Sequence, residues 1–302
     1  MSKFVCNILL ILFYSSCFAQ SSIEKFLTPS DTLSTPRLKA VTIASSAVVT
    51  ASFIGLGATW YSDYDKSSFH FINDNSHWLQ MDKVGHLYSG YHLTRVGTEI
   101  LRWSGMESDR SAVIGAVSGF VVLSAVEVFD GFSAEWGAST GDLIANGSGA
   151  GLYFAQELLW HEQRIIPKYS FHKTKYADVR PNLLGNNLQE QFLKDYNGQT
   201  YWLSVNIYSF IKSESIPKFI NLAFGYGANG MTSALQPEVI LDANNFYRQR
   251  QFYLSLDLDL TKIGTKSHFL KTVFSVFNTI KIPAPTFELS DNGRVKGYIF
   301  YF

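Results

Sequence analysis

Asp82-Lys83-Val84-Gly85-His86 opens a stretch that runs through an apolar segment to Glu127, then Asp130-Gly131, and closes on Gly141-Asp142-Leu143-Ile144-Ala145-Asn146-Gly147-Ser148-Gly149. Its reading decides the fold. Carboxylates, a histidine and an asparagine recur at helical spacing among apolar and small residues. Asp82 and His86 are four apart, Glu127 and Asp130 three apart, and Asp142 and Asn146 four apart. Each pair therefore shares one helix face. Buried polar groups need partners, so the three pairs are expected to meet inside one helical bundle.

Outward from that stretch the pattern gives four helices. Ala40 to Tyr61 is apolar, with small polar residues only, and is long enough to cross a bilayer. A buried helix of a soluble bundle has the same composition. Residues 62–81 are polar and aromatic and read as a loop. The second helix spans about Asp82 to Trp103 and carries His86, His92, Arg95 and Glu99, polar for a lipid-exposed span. The third, Ser111 to Phe129, is apolar nearly all round until Glu127, and Gly115 and Gly119 permit a close helix crossing. The fourth runs from about Thr140 to His161. Arg102 and Arg110 fall on the side that opposes the positive-inside bias. Four inner-membrane spans are thus disfavoured against a bundle docked on, or partly in, a membrane.

The flanks give the rest of the organisation. Residues 1–19 read as a secretory signal: Lys3, an apolar run from Phe4, and Ala19 before Gln20. Both cysteines, Cys6 and Cys17, lie within it, so cleavage at Ala19 leaves a chain without thiol chemistry. Lipidation of Cys17 is the alternative. Residues 20–39 read as a linker, 40–165 as the bundle, and 166–200 as a second linker. Residues 201–302 read as β-rich. Phe252 to Leu260 alternates most clearly, placing Asp257 and Asp259 on one face, expected to be solvated. Alternation that ends on an aromatic residue is a feature of outer-membrane barrels. The four to six strands available fall below the usual minimum of about eight. The expected fold is α+β: a membrane-associated four-helix bundle followed by a small antiparallel β-rich part.

The 302 residues are 46% hydrophobic and 17% charged, with formal net charge +0. That balance gives no footprint for nucleic acid. No phosphate loop, dinucleotide fingerprint or nucleophile elbow occurs in the sequence. Asp82, His86, Glu127, Asp130, Asp142 and Asn146 are the candidate site residues. Asp82 and His86 could ligate a divalent metal, with Glu127, Asp130 or Asp142 completing the sphere. A carboxylate beside histidine could also work as an acid–base pair. The bland reading is a hydrogen-bonded network that fixes helix register, with Asp82 as an N-cap. Lys83 is expected to pair with a carboxylate across the bundle or to snorkel to the surface.

Asp82-Lys83-x-x-His86, Glu127, Asp130-Gly131-Phe132-Ser133 and Gly141-Asp142-x-x-Ala145-Asn146 resemble the YfiM-like proteins, a bacterial family of unknown function labelled predicted periplasmic lipoproteins. The resemblance covers residues 40–165. Asp142, Ala145, Asn146 and Gly149 are similar to VanZ-like membrane proteins, although Asp130 stands where those carry glutamine. Neither resemblance implies an established activity. The expectation is an exported, membrane-associated envelope protein on the periplasmic side, with a structural or interaction role. Membrane lipids, and other envelope proteins, are the expected partners. The alternative is an envelope hydrolase acting on a lipid or lipid-linked substrate through the Asp/His/Glu cluster.

Overall fold

The structure is a computed structural model that describes residues 22–62, 64–235 and 246–302. The signal segment, with Cys6 and Cys17, lies outside the described residues.

Helix α1, Thr35–Leu56, begins with Pro36, whose fixed φ suits a first turn, and continues as a π-helical turn at Gly57–Tyr61. It starts inside the stretch expected as a linker. Helix α2 is Met81–Trp103, α3 is Ser108–Gly131 and α4 is Thr140–Trp160. Helices α2, α3 and α4 pack on one another at small residues. A Cβ added to Gly90 of α2 would lie 2.6 Å from the Asn146 carbonyl of α4. One added to Gly119 of α3 would lie 2.7 Å from Thr94 Oγ1 of α2. These close approaches, rather than an interlocking of large side chains, set the crossings.

The expected four-helix bundle is therefore a bundle of three. Helix α1 buries no residue. It lies alongside through Arg37, which donates to the Trp103 carbonyl at 3.1 Å, and through stacking of Phe53 on Phe129. A uniformly apolar helix has no polar side to turn outward, so its sequence pattern could not distinguish lying alongside from packing within.

The C-terminal part is an antiparallel meander of six strands: β3 Ile165–Phe171, β4 Gln199–Asn206, β5 Ile220–Asn229, β6 Gln249–Leu258, β7 Ala284–Ser290 and β8 Val295–Tyr301. (The two-residue strands β1, Phe71–Ile72, and β2, Ala138–Ser139, pair separately.) The mixed composition and the antiparallel C-terminal sheet agree with the sequence reading. The stretch 166–200, expected as a linker, contains most of β3 and three short helices. Pro167 had disguised the strand, since proline is tolerated only at a sheet edge, and β3 is the edge.

The sheet curls nearly onto itself. Tyr169 of β3 accepts from Lys281 N at 2.9 Å and donates its N–H to the Thr279 carbonyl at 3.0 Å. Across the interior, Thr200 of β4 meets the Tyr301 hydroxyl of β8 at 3.2 Å. The rings of Trp202, Tyr253 and Tyr301 fill the space between.

The two faces of this sheet are reversed from the usual arrangement. Ser204, Asn221, Ser255, Asp257, Thr286 and Glu288 point inward and are buried. Leu203, Phe224, Phe252, Leu254, Phe287 and Leu289 point outward and are exposed. Asp257 and Asp259, expected on a solvated face, are 1% and 0% exposed. Period-two alternation separates two faces without saying which is inside. The wall formed by β3 and β4 seats on α2, where Tyr88 meets Tyr169 and Tyr201 at ring-centroid distances of 6.0 and 5.7 Å. At the opposite end of α2's bundle, Glu162 joins the helices to the sheet by accepting from Lys262 and from Ser209. Burial acts to raise the Glu162 carboxyl, but these donors hold it down at about 2.

Candidate functional site

The start of α2, the end of α3 and the start of α4 come together at one end of the bundle, because α3 runs antiparallel to both. Asp82 and Asp142 occupy first turns, where the helix dipole favours a carboxylate. Asp82 is not the N-cap; that position is Gln80. The true side-chain cap belongs to α4, where Ser139 Oγ accepts from Asp142 N at 3.2 Å.

Lys83 sits among three carboxylates: 2.7 Å from Asp74 Oδ2, 3.2 Å from Asp82 Oδ2 and 2.8 Å from Asp142 Oδ1. It donates to Asp142 Oδ2 at 2.9 Å. Asp74 also accepts from the Ser139 hydroxyl at 2.5 Å. Burial acts to raise the Asp74 carboxyl, but Lys83 and Ser139 outweigh it and hold it below the ordinary aspartate value.

His86 lies between two sets of groups. Its Nδ1 is 2.9 Å from Asn146 Oδ1 and 3.8 Å from Glu127 Oε1. Its Nε2 is 3.7 Å from Asp82 Oδ1 and 3.8 Å from Asp142 Oδ1. Asp82 Oδ1 accepts from the Tyr196 hydroxyl at 2.8 Å, and Glu127 Oε2 accepts from Ser139 N at 3.1 Å. Asp82, Glu127, Asp142 and Asn146 thus meet around the imidazole of His86, which brings together five of the six candidate residues. Asp130 stands apart from the imidazole contacts and accepts from the Tyr61 hydroxyl at 2.6 Å. Of the four metal candidates, Asp82, His86 and Asp142 offer donor atoms within 4.8 Å of one another. Glu127 faces the other ring nitrogen and does not share that centre.

The cluster carries more negative than positive charge. Among the described residues, Asp74, Asp82, Glu127 and Asp142 face Lys83 and His86 as the basic groups. Chemically this suits a cation, or a proton held between carboxylate and imidazole.

The approach to the cluster is strained. Trp78, Leu79 and Gln80 take φ values of 48°, 50° and 65°, three consecutive left-handed residues without a glycine. Each such residue costs about 1–2 kcal/mol. The sheet end of the molecule holds the turn in place. Trp78 N donates to the Ala234 carbonyl at 2.8 Å, Tyr226 donates to the Leu79 carbonyl, and Arg250 donates to Gln80 Oε1 at 2.8 Å. Strain of this kind, paid by surrounding contacts, gathers at functional sites.

Residues 70–156 match the family described as "Predicted periplasmic lipoprotein (DUF2279)". The matched region takes in the whole cluster from Asp74 to Asn146 and leaves out α1 and the six-stranded sheet. It is well under half of the chain and narrower than the 40–165 expected. The match supports the family description but not the YfiM-like or VanZ-like resemblance by name. No curated protein and no solved structure matches the chain.

Sequence reasoning did not find Asp74, Ser139 or Tyr196. Asp74 lies in a polar loop, Asn73-Asp74-Asn75, with no periodicity. Tyr196 lies in the stretch taken for a linker. Lys83 was expected to pair with a carboxylate across the bundle, and its contact with Asp142 is such a pair.

Proposed function

We propose that this is an exported envelope protein seated in a membrane, with lipid hydrocarbon as the partner of its outer surface and an interaction or structural role there. The observation that carries this reading is the reversed sheet. In water, an antiparallel sheet with one covered face turns apolar side chains in and polar ones out. Here Phe224, Phe252 and Phe287 are 50%, 47% and 66% exposed, while Glu288 and Asp257 are each 1% exposed. Polar-in, apolar-out alternation is the rule of membrane-embedded sheets. Charge follows the same division: within β5, β6 and β7, Asp257 and Glu288 lie inward, and Arg250, at the start of β6, is held by Gln80.

The helices add a second support. Thr35–Leu56 and Ser108–Gly131 are long and apolar enough to cross a membrane, and their apolar residues remain largely exposed. Exposed large apolar side chains recur along the outer faces of β5–β7, α1 and α3, where a soluble monomer keeps its apolar patches small.

Single cysteines test the reading cleanly, because residues 22–302 contain none. In isolated membranes, Leu254→Cys and Phe287→Cys are expected to resist a membrane-impermeant maleimide, whereas Asn292→Cys in the β7–β8 turn reacts. The protein also stays with the membrane through high-salt and alkaline-carbonate washes, since apolar burial is not screened by salt. Equal labelling at all three positions, or release by salt, would refute lipid contact.

Export is tested at the N-terminus. The family description and the signal-like segment both lead to a processed chain beginning at Gln20, or at a lipid-modified Cys17. N-terminal sequencing and intact mass distinguish the two, and a mature protein retaining Met1 removes both.

A further inference from the structure

We propose that Asp82, His86 and Asp142 form a binding site for a divalent first-row transition cation, with Asn146 setting the imidazole. The site goes beyond the membrane reading and does not rest on it.

The donor atoms are arranged for a metal rather than for one another. Lys83 pairs with Asp82 through Oδ2 and stands across both oxygens of Asp142, at 2.8 Å from Oδ1 and 2.9 Å from Oδ2, while Tyr196 donates to Asp82 Oδ1. The Oδ1 atoms of both turn toward His86 Nε2 at 3.7 and 3.8 Å, beyond hydrogen-bonding range. Three donors around a zinc ion at about 2.0–2.2 Å stand about 3.5–3.8 Å apart when the ion lies in their plane. The two separations from Nε2 fall in that range, and all three donors lie within 4.8 Å of one another.

The imidazole is prepared for ligation. Asn146 Oδ1, 2.9 Å from Nδ1, accepts the Nδ1 proton. That tautomer leaves the Nε2 lone pair facing Asp82 and Asp142. A ligating histidine normally donates its other nitrogen's proton to an oxygen acceptor in this way.

A second observation separates the site from an ordinary acidic cluster. Asp142 is 4% exposed, and its Oδ1 accepts no hydrogen bond even though Lys83 Nζ stands 2.8 Å away. A buried carboxylate oxygen that accepts no hydrogen bond is expensive, and the Lys83 charge beside it offsets part of that cost. Asp142 supplies one of the three donor atoms that lie within 4.8 Å of one another. One nitrogen and two oxygen donors select a borderline cation such as Zn²⁺ over Ca²⁺, which takes six to eight oxygens. Three protein ligands leave a position open to water or to an anionic group.

The test is metal binding by the purified full chain in detergent, stripped with chelator and titrated with Zn²⁺. The expected result is one equivalent per chain, with Zn²⁺ preferred over Ca²⁺ and an absorption-edge spectrum showing one imidazole nitrogen in an otherwise oxygen shell. His86→Ala and Asp82→Asn each lower affinity about 100-fold, while Glu99→Gln, on an exposed side chain of the same helix, leaves it unchanged. Asp82 is the more exposed of the two carboxylates, so its variant keeps the test usable should a change at the buried Asp142 unfold the bundle. Asn146→Ala weakens binding about 10–100-fold, as expected for a residue that orients a ligand. Failure of the folded wild-type protein to bind Zn²⁺, or binding that persists in both His86→Ala and Asp82→Asn, overturns the proposal. Neither outcome bears on lipid contact, which the cysteine labelling reads separately.

Discussion

Lys168→Met is expected to destabilise the protein by about 3–5 kcal/mol, and Lys168→Met combined with Asp257→Leu by clearly less than the sum of the two single changes. Lys168 and Asp257 form an ion pair at 2.8 Å with both side chains 0% exposed. The ammonium also donates to the Leu258 carbonyl at 2.6 Å and to Asn278 Oδ1 at 2.9 Å. The carboxylate accepts from Ser204 at 2.6 Å and from Ile282 N at 3.0 Å. Removing one charge leaves the other inside the curled sheet without its counter-ion. Lys281 feels the Asp257 charge from nearby, but it donates to the Ile282 carbonyl and lies over the Trp202 ring, so it does not replace the direct contact of Lys168. Removing both charges costs only hydrogen bonds to neutral groups, about 1–3 kcal/mol for each group left unpaired. Thermal or denaturant unfolding in detergent measures the cycle. A single variant within about 1 kcal/mol of wild type, or strict additivity, would show that the pair does not hold the interior together.

That pair marks the limit of the sequence. The period-two run from Phe252 to Leu260 was legible, and so was the pairing of Asp257 with Asp259 on one face. The face that is buried was not, because alternation is symmetric between a sheet with an apolar core and one turned inside out. The partner of Asp257 was harder still. Lys168 follows Pro167 in a stretch without periodicity, and only the curl of the sheet, which sets β3 beside residues 279–281, brings it to Asp257.

The bundle was legible for a physical reason. Polar residues four apart inside apolar runs must face one interior, and Asp82, His86, Asp142 and Asn146 do so. Glu127 joins them, but beside Nδ1 rather than among the Asp82 and Asp142 oxygens. Spacing fixes the helix face and leaves the rotation of the ring between two helices undetermined. The left-handed turn at Trp78-Leu79-Gln80 had no signal at all. Positive φ is ordinarily marked by glycine or asparagine, and none stands there. Contacts from Ala234, Tyr226 and Arg250, all far along the chain, impose it. Asp74 and Ser139 likewise reach the cluster through the β1–β2 pairing, a long-range event.

Lys83→Met is the second large effect, expected at about 3–5 kcal/mol near neutral pH in chelator, where no metal contributes. Lys83 is the ammonium shared by Asp74, Asp82 and Asp142, with His86 the other basic group at the cluster. Without it, three carboxylates crowd one end of the bundle, and Asp74 and Asp142 are 8% and 4% exposed. The pH dependence has a definite sign. The folded-state carboxyl of Asp74 lies below its ordinary value, so its contribution is fully present above the unfolded value of about 4 and is lost as pH falls through the folded one. In Lys83→Met the part that Lys83 supplies is gone at every pH, and only the part from the Ser139 hydrogen bond remains. The gap between wild type and variant is therefore widest near neutrality and narrows as pH falls below about 4. Lys83→Met with Asp142→Asn recovers part of the loss, because one of the crowded charges is removed, and Lys83→Arg retains more stability than Lys83→Met. Unfolding followed from neutral to acid pH checks both the size and the slope. A Lys83→Met protein as stable as wild type at neutral pH, or a gap that widens in acid, would show that the ammonium does not neutralise this cluster.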